Sequence, residues 1–126
     1  MPLVKMSDLL IKAKNEGYAV GSFSVANMEM VLGVLKALEE TKSPAIIQIA
    51  EVRLNHSPLE LIGPLMVAAA KNSTVPVAVH FDHGKTEEKI RQALAGSMGM
   101  LLTLPLTSAV CAAIYDKKGV RENASR

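Results

Sequence analysis

Aromatic side chains are almost missing from this 126-residue chain, which has no Trp and only Tyr18, Phe23, Phe81 and Tyr115. Proteins that hold single-stranded nucleic acid stack its bases on aromatic faces, so that class of function has almost no platform here. Cysteine is scarcer still. Cys111 stands alone, which excludes an intrachain disulfide, and with no basic-then-apolar leader at the start of the chain a reducing cytoplasmic setting is expected. Charge of one sign is also lacking, since a net formal charge of +2 is too small to argue for a phosphate-backbone partner. Residues 1–98 hold ten Lys or Arg against ten Asp or Glu. The whole excess therefore belongs to Lys117, Lys118, Arg121 and Arg126, set against Asp116 and Glu122. The one apolar run near spanning length, Met98 to Tyr115, is interrupted by Gly99, Thr103, Pro105, Thr107 and Ser108, so neither a membrane span nor a membrane partner is expected.

What is present is a globular composition, 49% hydrophobic and 21% charged, at the length of one domain. The pattern alternates strand and helix. Met6 to Gly17 reads as a short amphipathic helix, with Ser7 as N-cap and Gly17 as its stop. Tyr18 to Val25 reads as a strand, and Asn27 caps a helix from about Met28 to Lys42 whose stripe is Val31, Leu35 and Leu38. Ala45 to Ala50 is an almost continuous apolar run, as expected of a strand covered on both faces. Ser57-Pro-Leu-Glu60 has the form of a capping box opening a helix to Lys71, with Pro64 either kinking it or marking a later start near Gly63. Val75 to Phe81 is a third buried strand, followed by Asp82-His83-Gly84-Lys85 and a helix that Thr86 caps and Gly96 ends. Three such units with short links predict an α/β fold with a parallel sheet. A fourth strand near Met98 to Leu104 would extend it.

In parallel α/β folds ligands bind where strands end and loops begin. The polar residues at those ends are Ser24 and Asn27, Gln48 and Glu51, and Asp82 and His83. The last two are the sharpest pair, because a carboxylate and an imidazole leaving a buried strand together can divide proton transfer and metal coordination between them. Their structural alternative is ordinary: Asp82 capping the next helical turn, and His83 exposed. Gln48 likewise reads either as a substrate contact or as a strand glutamine bonded to a neighbouring loop. His80-x-x-His83 has the look of a local metal site, but a strand-buried imidazole satisfied by packing or a hydrogen bond is the commoner meaning of His80.

Taken together, Val75 to Gly84 with its Asp-His ending, Gly21-Ser-Phe-Ser-Val-Ala-Asn27 and Ser43-Pro-Ala-Ile-Ile-Gln-Ile-Ala50 resemble the class II fructose-bisphosphate and tagatose-bisphosphate aldolases, continuously over residues 1–98. The resemblance implies a (β/α)8 barrel, of which this chain holds the first three to four β-α units. It further implies a lyase of carbohydrate metabolism and glycolysis. Its reaction is metal-dependent retro-aldol cleavage of a ketose 1,6-bisphosphate to dihydroxyacetone phosphate and a triose phosphate aldehyde. By the same resemblance Asp82 moves the proton of the C4 hydroxyl, His83 binds a catalytic Zn²⁺, and Ser24 and Gln48 contact the phosphorylated ketose.

The chain also departs from the family. Ser24 stands where Asn is common, giving a shorter reach and one fewer donor, and Ala50 stands where some members place a phosphate-contacting Ser. The family takes two further zinc-binding His from later strands, and neither His56 nor His80 stands in for them. Residues 99–126 do not match the family's next strand and helix; a truncated or out-of-frame gene is the expected origin of that tail. The isolated chain is accordingly expected to be inactive, since a catalytic zinc needs about three protein ligands. The competing expectation is a noncatalytic α/β module whose open sheet edges lead to homo-oligomers or aggregation.

Overall fold

The computed structural model describes residues 2–96, and these form three parallel strands and four α-helices. The helix α1 (Met6–Glu16) precedes strand β1 (Gly21–Ser24); then come α2 (Met28–Thr41), β2 (Ala45–Ala50), α3 (Leu59–Asn72), β3 (Val77–Asp82) and α4 (Glu87–Gly96). The sheet order is β1-β2-β3. In register, Gly21, Ala45 and Val77 form one row, and Ser24, Gln48 and His80 another. This is the parallel strand-helix alternation expected of the opening units of a (β/α)8 barrel. The tail, Cys111, the Met98–Tyr115 run and the fourth strand lie outside the described residues.

Side chains alternate across each strand, and the two faces of this sheet have different company. Ile47, Ile49, Val77, Val79 and Phe81 pack with Val31, Leu35 and Leu38 of α2 and Ile62, Met66 and Ala70 of α3, all buried. On the opposite face, Ile46 and Ala78 meet Met6 and Leu9 of α1. Thus α1 covers the lower part of that face and leaves the C-terminal part, with its polar side chains, uncovered by any described helix. The start of the chain is held in place by main-chain bonds, with Val77 N–H donating to the Pro2 carbonyl at 2.7 Å and Val4 N–H to the Val77 carbonyl at 3.0 Å.

Several local expectations are corrected. Ser7 lies inside α1, and the N-cap is Lys5, which makes no side-chain cap bond. Ser57 does not cap α3 either, because its hydroxyl donates across to the Ala26 carbonyl and Pro58 takes the cap position. The helix starts at Leu59 and runs through Pro64, so the later start near Gly63 is ruled out; the ring supplies no N–H to the turn behind it. A 3₁₀ turn, Glu51–Asn55, follows β2 with no warning from periodicity. β1 is four residues long, shorter than Tyr18 to Val25, and all four are exposed. Asn27 does cap α2, its Oδ1 accepting from Met30 N–H at 2.9 Å, and Gly17 ends α1 in the left-handed region at φ 74°.

Candidate active site

The polar face is built by strand alternation. Ser22 and Ser24 on β1, Gln48 on β2, and His80 and Asp82 on β3 all sit at even positions, on the face that Ile46 and Ala78 share lower down. Gln48 joins them. Its Oε1 accepts from the Ser22 hydroxyl at 2.7 Å, and its Nε2 donates to Ser24 Oγ at 3.1 Å and to Asp82 Oδ2 at 3.0 Å. One carboxamide therefore ties all three strands together at the height where β3 ends.

Asp82 is the last residue of β3, and His83 turns sharply away from it at φ 50°, a left-handed conformation that a non-glycine residue adopts at some cost. The turn aims the Asp82 carboxylate back at its own loop, where Oδ1 accepts the His83 N–H at 3.0 Å. Both imidazoles flank that carboxylate: His83 Nε2 is 3.5 Å from Oδ2, and His80 Nε2 is 3.8 Å from Oδ1. They differ in surroundings. The His83 side chain is 74% exposed, whereas that of His80 is 16% exposed. Burial lowers the His80 pKa from its ordinary value, opposed by the nearby Asp82 charge and reinforced by His83. His80 Nδ1 has no hydrogen-bond partner among the described residues, so of the two accommodations expected from sequence, packing or a hydrogen bond, only packing reaches that nitrogen.

The loop after β3 is fastened from outside the polar face. Glu51, directly after β2, accepts from Lys85 N–H at 2.5 Å, Thr86 N–H at 3.1 Å and the Thr86 hydroxyl at 2.8 Å. The first N–H groups of a helix lack partners within it, and here a carboxylate from another loop accepts at that end. Thr86 is thus a donor to Glu51, and Asp82 is not the cap of α4. These bonds hold the Glu51 carboxyl below its ordinary pKa, the Lys85 N–H contributing most. Gly84 lies close against the same corner, where a Cβ would come within 3.0 Å of Ile90 Cγ1 and Phe81 Cε1.

Fit to a divalent metal is tested by this donor set. His83 offers an open imidazole, Asp82 is engaged by Gln48 and its own loop, and His80 is half-buried. No group of three His, Cys, Asp or Glu that could hold a metal occurs among the described residues. They fit as one ligand of a catalytic zinc site and fall short of the roughly three such a site needs.

Residues 4–110 match the family model for class II fructose-bisphosphate aldolase. The chain belongs to the class II fructose-bisphosphate aldolase family. It is 42% identical over 92 residues to the fructose-bisphosphate aldolase of Thermus caldophilus, covering 73% of this chain and 30% of that protein. It is 37% identical over 95 residues to the fructose-bisphosphate aldolase of Giardia intestinalis, covering 75% of this chain and 29% of that one. The crystal structure of the YdjI aldolase from Escherichia coli K12 superposes with a TM-score of 0.71 at 37% identity, over 75% of this chain and 37% of that chain. The chain thus spans about 30% of the length of the curated relatives it matches.

All four site residues expected from sequence, Ser24, Gln48, Asp82 and His83, meet in this one corner. Asn27 instead serves as a helix cap, and His56, at the end of the 3₁₀ turn, has no part in the cluster. Ser22 and the fastening role of Glu51 were missed. The signal for Ser22 is its two-residue spacing from Ser24, which puts both on one face of β1.

Proposed function

We propose that this chain supplies the proton-transfer corner of a ketose 1,6-bisphosphate aldolase, the substrate being cleaved between C3 and C4. The observation that carries the reading is Asp82, held by Gln48 and by its own loop at the end of β3 with the open His83 imidazole beside it. Asp82 takes the proton of the C4 hydroxyl as the C3–C4 bond breaks and its electron pair passes to the fragment that becomes dihydroxyacetone phosphate. Gln48 keeps the carboxylate facing the substrate, and Ser24 offers a hydroxyl to a substrate oxygen. His83 would be one ligand of a divalent cation, Zn²⁺ by family, whose remaining ligands the described residues do not supply. Such a cation, when bound, offsets negative charge on the ketose oxygens. Residues 1–98 form the barrel part in this reading, the family match runs on to residue 110, and the 126-residue chain by itself is inactive.

A chimaera tests the assignment: residues 2–96 replace the matching segment of the Thermus caldophilus enzyme, and triose phosphate release is measured with zinc. Activity that Asp82→Asn lowers by about 10²-fold or more is the expected result, the usual size of a lost general acid–base group. An active chimaera indifferent to Asp82→Asn would sink the assignment. The isolated chain is expected to release no triose phosphate above background. Robust turnover by it would overturn the view that its ligands are too few.

One observation favours a second reading, an interaction module that joins copies of itself through its sheet edge. β1 is exposed along its length, and Phe23 and Tyr18 line a cleft of about 410 Å³ between that strand and α2.

A further inference from the structure

We propose that Ser22 is a positioning residue for the reaction above, holding the oxygen end of the Gln48 carboxamide whose nitrogen end faces Asp82. The proposal rests on the aldolase reading of that corner. A primary amide has two unlike ends, an oxygen that only accepts and a nitrogen that only donates. Around Gln48 stand two hydroxyls, which can do either, and one carboxylate, which can only accept. A single arrangement satisfies all three. The nitrogen turns to Asp82 Oδ2 at 3.0 Å and gives its other proton to Ser24 Oγ at 3.1 Å, so the oxygen must turn to Ser22, whose hydroxyl donates at 2.7 Å. The Asp82 carboxylate, which can only accept, sets the direction of the amide, and the Ser22 hydroxyl holds it there; without that hydroxyl the oxygen end loses its donor and the carboxamide is less firmly held against Asp82.

The same direction carries on to Ser24. Because Ser24 Oγ accepts from Gln48, its own proton has no acceptor among the described residues and is left for an oxygen brought against this face. Ser22 therefore opens a one-way sequence of donors, from β1 to β2 and back to β1, whose direction Asp82 sets and which ends at the substrate. Ser22 belongs to neither hydrophobic cluster and is exposed. A change there loosens one amide, not the packing of the core.

The test uses the full chain and nitrogen-proton spectra of its side-chain amides, the Gln48 pair being identified by its loss in Gln48→Leu. Ser22→Val, which suits a strand but has no hydroxyl, is expected to shift both Gln48 Nε2 proton signals and to speed their exchange with water about fivefold, as loss of one hydrogen bond would. Ser22→Thr keeps the hydroxyl and restores the native positions. Backbone amide signals report whether each variant is folded, and Ser22→Ala serves if Ser22→Val is not. A Gln48 pair unmoved in a folded hydroxyl-free variant overturns the proposal, as does a Ser22→Thr spectrum matching that of Ser22→Val. No turnover enters this measurement, so it can fail while the chimaera is active, or hold while the chimaera is dead.

Discussion

Asp82 and His83 leave a buried apolar strand side by side, but the pair alone also fits a helix-capping carboxylate beside an exposed imidazole, and the family resemblance is what singled them out. The partners that hold Asp82 were less legible. Gln48 read equally as a substrate contact or a strand-to-loop bond, and the structure shows it bonded across the sheet to Ser22, Ser24 and Asp82. A side chain at the centre of a three-strand cluster can be recognised only once register is known, since register decides which residues stand beside it. In the active chimaera, Gln48→Leu is expected to lower kcat about tenfold, roughly the worth of a hydrogen bond to a charged group, which steady-state kinetics would measure. Glu39 is a second single-residue feature that sequence hid, a helix glutamate that accepts from Ser73 and Thr74 in the loop before β3. Those bonds, the Thr74 hydroxyl first, lower its pKa from 4.5 to about 2. A carboxyl with a depressed folded pKa contributes stability that is whole above its unfolded value and is lost as protons bind it on the way down. Urea midpoints are therefore expected to fall between pH 4.5 and 2, and Glu39→Gln is expected to flatten that fall while leaving a lower midpoint at neutral pH.

At the scale of elements, what sequence could reveal depended on where each backbone group finds its partner. β2 and β3 were plain because both faces are covered over most of their length, which demands nearly continuous apolar runs. β1 was drawn too long because an exposed edge strand makes no such demand. Four residues looked like helix caps, and they divide by the reach of their hydroxyl or amide. Asn27 bonds within its own helix, Ser57 is drawn away to the Ala26 carbonyl, the Thr86 hydroxyl donates to Glu51, and Ser7 lies past the start of α1. Local spacing foretells only the first kind. Asn27→Ala is expected to cost about 1 kcal/mol by loss of its cap bond, whereas Ser7→Ala is expected to change stability by less than about 0.5 kcal/mol. Thermal unfolding of the two variants side by side would check this, and equal losses would show that Ser7 has a capping role the geometry does not give it. Glu51 links two elements that periodicity treats as unrelated, the end of β2 and the start of α4. Glu51→Ala is expected to lower the stability of the start of α4 and its loop, as other lost N-terminal caps do, and to broaden the amide signals of residues 83–86 before those of β2.

For the molecule as a whole, the three parallel strands match a family whose complete barrels run to roughly 250 residues, so the sheet's edges matter as much as its core. β1 has no strand on its far side among the described residues. Beside that edge Phe23 is 42% exposed, and with Tyr18, Leu38 and Pro44 it lines the cleft against α2. An unpaired edge flanked by apolar surface is a template for another chain, because its free N–H and C=O groups and its rings can be satisfied in one contact. Sedimentation velocity on the full chain is expected to show association that grows with concentration. Natural edge strands resist such pairing with an inward or flanking lysine, so Phe23→Lys is expected to shift the chain toward monomer without unfolding it, as Phe23 is absent from the buried clusters. A wild-type chain that stays monomeric at every concentration would remove the interaction-module reading. One that associates equally well with Lys at position 23 would move the contact away from β1, to a part of the surface that neither the cleft nor the sheet order points to.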